Sequence, residues 1–153
     1  MSLTPKSSIL TINAYKPGLS KANSSLPTIK LSSNENPLGA SPKAIDAYGS
    51  ASASLFRYPD GSATILREAI GQVHGLNPDR IICGAGSDEI IAFLCHAYAG
   101  SDDEVLYTQH GFLMYEIYAK IAGATPVAVP EKNLRTDVDS LLAAVSPKTK
   151  IVF

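Results

Sequence analysis

The chain has 153 residues, enough for one sizeable core, and sets 13 Lys and Arg against 14 Asp and Glu for a formal charge of −1. That balance removes the electrostatic case for a nucleic-acid binder, which needs clustered cations to meet phosphates. Its 45% hydrophobic content excludes disorder throughout, and no apolar run reaches the ~18–20 residues of a membrane span.

The first third, Met1 to Leu31, reads as an irregular arm. Pro5, Pro17 and Pro27 break any long regular element. Ser41-Pro42 is a helix start and Gly49 a stop signal. Asp60-Gly61-Ser62 is expected to open a second helix, with Ile65, Leu66, Ala69, Ile70 and Val73 at helical spacing and Gly75 ending it. Arg80-Ile81-Ile82-Cys83 is of strand type, and Gly84-Ala85-Gly86-Ser87 turns into a helix from Asp88 to about Ala99. A strand is predicted over 104–108, a helix over 112–122 closed by Gly123, and a strand over 125–129. Thr136 to Asp139 looks like a helix start, with Leu141, Leu142 and Val145 as its apolar face, and 150–153 opens another strand. Short β-branched runs alternating with amphipathic helices predict an α/β fold, a sheet covered on both faces as a three-layer α/β/α sandwich.

Other features point to compartment and surroundings. Charged residues make up 18%, below the ~25% of an ordinary soluble domain, which predicts surface covered by another chain or domain. Met1 to Leu10 lacks the apolar stretch of a secretory leader, and Cys83 and Cys95 make neither a disulfide framework nor a zinc site. They read as buried, reduced thiols of a cytoplasmic protein. No metal site is expected, because His74, His96 and His110 show no ligand spacing. His96 is expected in the core, and His74 in a helix's last turn. An apolar strand end at Ile151-Val152-Phe153 suggests the front portion of a longer protein.

The strongest chemical signal is the strand-turn-helix unit around Gly84-Ala85-Gly86-Ser87-Asp88-Glu89. Glycines allow the tight turn, and a helix start presents unpaired N–H groups and a positive dipole end to an anion. A phosphate would sit over Gly86, Ser87 and Asp88. The same segment reads equally well as an ordinary capped turn. A dinucleotide fingerprint would need a third glycine where Glu89 stands, and a P-loop would need Gly-Lys followed by Ser or Thr, which does not occur. A methyltransferase-like nucleoside site using Gly84 and Gly86 is disfavoured, because no acidic residue precedes the glycines.

With Leu31-Ser32-Ser33-Asn34-Glu35-Asn36-Pro37, Arg57-Tyr58-Pro59-Asp60-Gly61, Gly84-Ala85-Gly86-Ser87-Asp88-Glu89-Ile90-Ile91 and His110-Gly111-Phe112 with Tyr115 in this order, the chain resembles the N-terminal portion of the histidinol-phosphate aminotransferase family. These are pyridoxal-phosphate enzymes of the fold-type-I class, and the resemblance runs along essentially the whole chain. It implies that residues 1–40 form an N-terminal arm and small-domain segment, and that 41–153 begin the cofactor-binding large domain. It implies pyridoxal 5′-phosphate as cofactor, its phosphate held at Gly86, Ser87 and Asp88. Phe112 matches the aromatic that stacks on the pyridine ring. The family often has Tyr there in a Pro-Thr-Tyr turn, but stacking needs only the π-face. Tyr58 matches a tyrosine that reaches the cofactor phosphate of a neighbouring subunit, which implies a homodimer. Tyr15, Asn34 and Glu35 would line the substrate side.

The implied reaction passes an amino group between histidinol phosphate and 2-oxoglutarate, as a step of histidine biosynthesis. An aromatic amino-acid aminotransferase of the same family and a non-catalytic fragment or binding module are the alternatives. The chain's lysines are Lys6, Lys16, Lys21, Lys30, Lys43, Lys120, Lys132, Lys148 and Lys150, and none stands in the family's lysine motif. The lysine that carries the cofactor as a Schiff base is therefore expected beyond Phe153, and no catalytic residue is assigned within the chain.

Overall fold

The computed structural model describes residues 4–15, 30 and 33–153. They form two compact units, Met1–Asn13 with Ala63–Phe153, and Ala14–Ser62.

Among its described residues the smaller unit holds one regular helix. Asn36 and Gly39 close a tight turn, in which Asn36 Nδ2 donates to Gly39 O at 2.9 Å and Leu38 N–H donates to Asn36 Oδ1 at 3.1 Å. Helix α2 (Pro42–Ala51) follows, with proline at its first position, where the missing N–H is no loss. The Ser41 side chain makes no cap bond, and Gly49 does not end the helix. An interior glycine costs only about 1 kcal/mol against alanine. The end comes instead at a short 3₁₀ turn, Ser52–Ser54, whose serines bond back to Gly49 O and Ala51 O.

The larger unit begins with a single turn, α1 (Ser7–Leu10). Helix α3 (Thr64–His74) starts after Ala63, which takes a left-handed conformation at φ 47, later than the Asp60-Gly61-Ser62 signal suggests. The Asp60 carboxylate instead accepts the Ser62 N–H at 2.9 Å and builds the preceding turn. Gly75 ends the helix at φ 66, with His74 in the last turn, both as expected. Residues 80–83 form no strand: Arg80 ends a 3₁₀ turn, and Ile81 is extended with no described strand beside it. Helix α4 (Gly86–Tyr98) begins two residues earlier than expected. His96 lies on its exposed side and Cys83 is only partly buried, whereas Cys95 is fully enclosed; both thiols are free.

Three parallel strands follow, β1 (Glu104–Thr108), β2 (Thr125–Val129) and β3 (Thr149–Val152), in the order β2-β1-β3. β1 is the centre. Its Val105, Leu106 and Tyr107 are buried, so successive side chains enter opposite faces of the sheet. β2 carries Pro126, paired with Val105. Proline has no N–H to give a second neighbour, which suits β2 to an edge. β3 joins with a bulge that skips Lys150 between Glu104↔Thr149 and Val105↔Ile151. Ser146 and Thr149 hydroxyls both donate to the Glu104 carboxylate there, at 2.6 and 3.4 Å.

Helix α5 (Leu113–Ala122) connects β1 to β2, and α6 (Val138–Ala143) connects β2 to β3. The two crossovers run in opposite directions across the sheet. Right-handed connections then put α5 and α6 on opposite faces, giving the three layers expected. Gly123 stops α5 at φ 92. Val105, Ala119 and Ala124 form a buried cluster with Ala99, Ile151 and Phe153 against it. The expected apolar face of α6 is only partly used, since Leu142 and Val145 remain exposed. Asp137 stands at its N-cap without capping it. The carboxylate takes Lys132 Nζ and Ser140 Oγ, each at 2.6 Å, and joins the hairpin-like turn 132–135 to the helix.

Leu106→Ala is expected to destabilise the chain by about 2–5 kcal/mol, since it empties a fully enclosed site in the central strand; denaturant titration measures it. Bonds from Lys132 and Ser140 hold the Asp137 carboxyl below its ordinary range. Its contribution to stability is therefore complete above about pH 4 and is lost as the pH falls through the folded value. Asp137→Asn should lower the thermal midpoint at pH 7 and leave a smaller difference from the parent near pH 2. An equal difference at both pH values would contradict this role.

Candidate functional site

The start of α4 is built by two glycines and one carboxylate. Gly86 stands at φ 76, where a side chain is strained, and its N–H folds back onto Gly84 O at 2.9 Å. A Cβ on Gly84 would lie 2.9 Å from Glu89 Oε2, so a larger residue there would displace that carboxylate. Glu89 reaches back to accept the Ala85 N–H at 2.7 Å. It satisfies one donor of the helix start from within the helix, as the acid of a capping box does. The Ala85 N-cap position itself offers no side-chain bond.

Beyond Glu89's reach, the amide N–H groups of Ser87 and Asp88 find no acceptor among the described residues. Nor does the exposed Ser87 hydroxyl bond to any of them. Nothing lies within 4 Å of the position a Cβ would take on Gly86. Two amides, a hydroxyl and a helix dipole thus face open space, the donor set that an anion requires. A phosphate ester fits these groups. Glu89 is the opposing charge, and its bond to Ala85 keeps it on the inner side of the turn.

The other candidate segment is the turn between β1 and α5. Phe112 caps α5 with extended backbone and is 40% exposed. Its ring meets the Tyr115 ring edge-on, with centroids 6.0 Å apart and planes at 86°. Tyr115 in turn stacks on Phe153 at 4.5 Å and 8°, and lies 6.3 Å from Tyr107. Phe112 is therefore the outermost ring of an aromatic group rooted in the sheet. Gly111 is required at the turn, because a Cβ there would stand 2.9 Å from Thr108 O.

Glu131, just past β2, holds this turn. It accepts the His110 N–H at 3.2 Å through Oε1, and its Oε2 lies 3.0 Å from His110 Nδ1. Burial raises the Glu131 carboxyl, but the bonds from the His110 ring and amide and from Thr108 outweigh it and hold the group below its usual range. Tyr107 shifts the other way: burial, then the charge and hydrogen bond of Glu116, push its phenol up.

Gly86, Ser87, Asp88 and Phe112 all belong to the larger unit, where α4 packs against α5. Tyr15, Asn34, Glu35 and Tyr58 belong to the smaller one. There Tyr58 is 98% exposed in a loop, and Tyr15 is also exposed. Asn34 takes a left-handed conformation, and Glu35 pairs with Lys30. Glu89, Glu131 and Tyr115 are the supporting residues that sequence reasoning did not assign. The acid following Gly84-x-Gly86 was a usable signal for Glu89. Nothing local marks Glu131, which acts 21 residues from His110.

Among the described residues no group of three or more His, Cys, Asp and Glu could hold a metal ion, and no helix is long and apolar enough to cross a membrane. An apolar depression of about 160 Å³ lies between Ile82 and the Phe93, Leu94 and Tyr98 side of α4.

Known proteins agree with this architecture. A family model described as aminotransferase class I and II matches residues 27–153. A histidinol-phosphate aminotransferase of Dinoroseobacter shibae is 56% identical over 99% of this chain, and one of Ruegeria sp. is 55% identical over the same share. The chain spans 42% of the length of each of these relatives. Among solved structures, histidinol-phosphate aminotransferase from Sinorhizobium meliloti in complex with pyridoxal-5′-phosphate superposes with a TM-score of 0.72 at 25% identity, covering 76% of this chain and 32% of that one. The aspartate aminotransferase of Rhizobium meliloti, at 19% identity, shares the fold over 99% of this chain and 42% of its own length, with a TM-score of 0.73. The parallel sheet, the open helix start and a family match over most of the residues place this chain in the class I and II aminotransferase family.

Proposed function

We propose that this chain supplies the phosphate-holding helix start and the ring-facing aromatic of a pyridoxal-phosphate aminotransferase that acts on histidinol phosphate and 2-oxoglutarate. The observation that carries the reading is the pair of free amides at Ser87 and Asp88, beside a free hydroxyl at a helix N-terminus. The names of relatives 53–56% identical to the chain support histidinol phosphate as the amino donor.

Bound pyridoxal phosphate supplies an electron sink and a carrier for the amino group. The chain's own part is to bind and orient. Ser87 and Asp88 donate to the phosphate, each charge-assisted bond being worth ~1.5–3 kcal/mol at best. Phe112 offers a π-face worth about 0.5–1.5 kcal/mol beyond burial. Immobilising the ligand costs ~4 kcal/mol or more. Since none of the lysines stands in the family's lysine motif, this chain by itself binds the cofactor weakly and does not transaminate.

The reading assigns Tyr15, Asn34 and Glu35 to the substrate side and Tyr58 to the cofactor phosphate of a second subunit, so the working form is a homodimer. It also carries the division at residue 40 between arm and large domain. A cytoplasmic location suits the two free thiols, Cys83 and Cys95.

Equilibrium dialysis of the chain against pyridoxal phosphate and, separately, S-adenosylmethionine tests this function. Pyridoxal phosphate should bind and S-adenosylmethionine should not. Ser87→Pro removes both the N–H and the hydroxyl at a first-turn position that tolerates proline, and should weaken pyridoxal-phosphate binding about tenfold or more. Binding of S-adenosylmethionine instead, or indifference to Ser87→Pro, would contradict the reading.

A further inference from the structure

The turn that carries Phe112 is held from outside its own element. His110 N–H donates to Glu131 Oε1 at 3.2 Å, and His110 Nδ1 lies 3.0 Å from Glu131 Oε2. One acid thus grips the chain two residues ahead of the aromatic. Gln109 N–H donates to Val129 O at 2.9 Å, which carries the β1–β2 ladder past the end of the strands and brings Glu131 beside the turn. Gly111 N–H donates to Thr108 O at 2.8 Å and closes it.

The burial of the two partners differs. The Glu131 side chain is 7% exposed, while that of His110 is 59% exposed. A carboxylate removed from water needs its bonds made by the protein, and among the described residues they come from His110 in the β1–α5 turn. The bonds have a directional consequence. They fix the backbone at residue 110, two residues before Phe112. The Phe112 ring then leaves the turn edge-on to Tyr115, which is itself stacked on Phe153.

We propose that Glu131 is a positioning residue for Phe112: its carboxylate, bonded to the His110 amide and ring, clamps the β1–α5 turn so that the Phe112 ring is presented in one orientation against Tyr115. The effect on cofactor binding rests on the reading of Phe112 given above, whereas the effect on the ring itself does not.

The test uses the full 153-residue chain with ring-labelled phenylalanine and tyrosine, the Phe112 signal being assigned with Phe112→Leu. Glu131→Gln keeps the shape of the side chain but loses the charge. His110→Ala alters a largely exposed ring and serves if Glu131→Gln does not fold. Both variants should weaken the nuclear Overhauser contact between the Phe112 and Tyr115 rings, while the methyl signals of Leu106 stay in place. Pyridoxal-phosphate affinity by dialysis should fall about threefold to tenfold in Glu131→Gln, the loss expected for a misplaced stacking ring. In a Phe112→Leu background Glu131→Gln should cause no further loss. An unchanged ring contact in both variants, or an additive loss in the double variant, overturns the proposal. If Phe112→Leu leaves affinity unchanged while the ring contact responds to Glu131→Gln, the stacking role has failed and the clamp stands.

Discussion

The larger unit depends on β1 being hydrogen-bonded on both edges and buried on both faces. A strand in that position has no side on which to place a charge, and Val105, Leu106 and Tyr107 meet the requirement. Its two neighbours are parallel to it, so each is reached through a helical crossover, and the crossovers cover opposite faces. The site residues of this unit are consequences of that arrangement. Phe112 lies on the turn that leaves the buried strand, and α5 carries it back across the sheet.

The helix start of α4 follows a different constraint. A helix leaves its first N–H groups without partners, and those groups must be met by something. Glu89 meets one of them, at Ala85. Ser87 and Asp88 are left facing an open space that Gly86 keeps free of side chain. In a structural cap, the side chain before the helix would have closed this gap, and Ala85 cannot. The missing cap is what leaves this helix start open to an anion.

Much of this was legible in the sequence where the cause is local. Gly75 and Gly123 stop helices because only glycine takes a left-handed conformation without strain, and β-branched runs marked 104–108 and 125–129. The misreadings share one origin, since the deciding contacts are not local. Ile81 has the extended backbone its sequence prefers, but a strand also needs a neighbour, and none stands beside it among the described residues. Gly49 was a stop only by type, and the helix passed through it at a small penalty. Leu142, Val145 and His96 have the spacing of buried or surface residues only in relation to what packs against them. For the site, the Gly84–Asp88 turn was readable from glycine spacing. Glu131, which supports the Phe112 turn, was harder, because its bond reaches a residue that α5 and β2 separate from it in sequence.

An amide-resolved titration with pyridoxal phosphate tests the central claim most directly. Nitrogen-15 spectra of the chain should show saturable shifts at the Ser87 and Asp88 amides, with Phe112 following and the Asp137 amide unmoved. Shifts absent from Ser87 and Asp88, or centred on the apolar depression at Ile82, Phe93 and Tyr98, would contradict the assignment of the α4 start as the phosphate cradle.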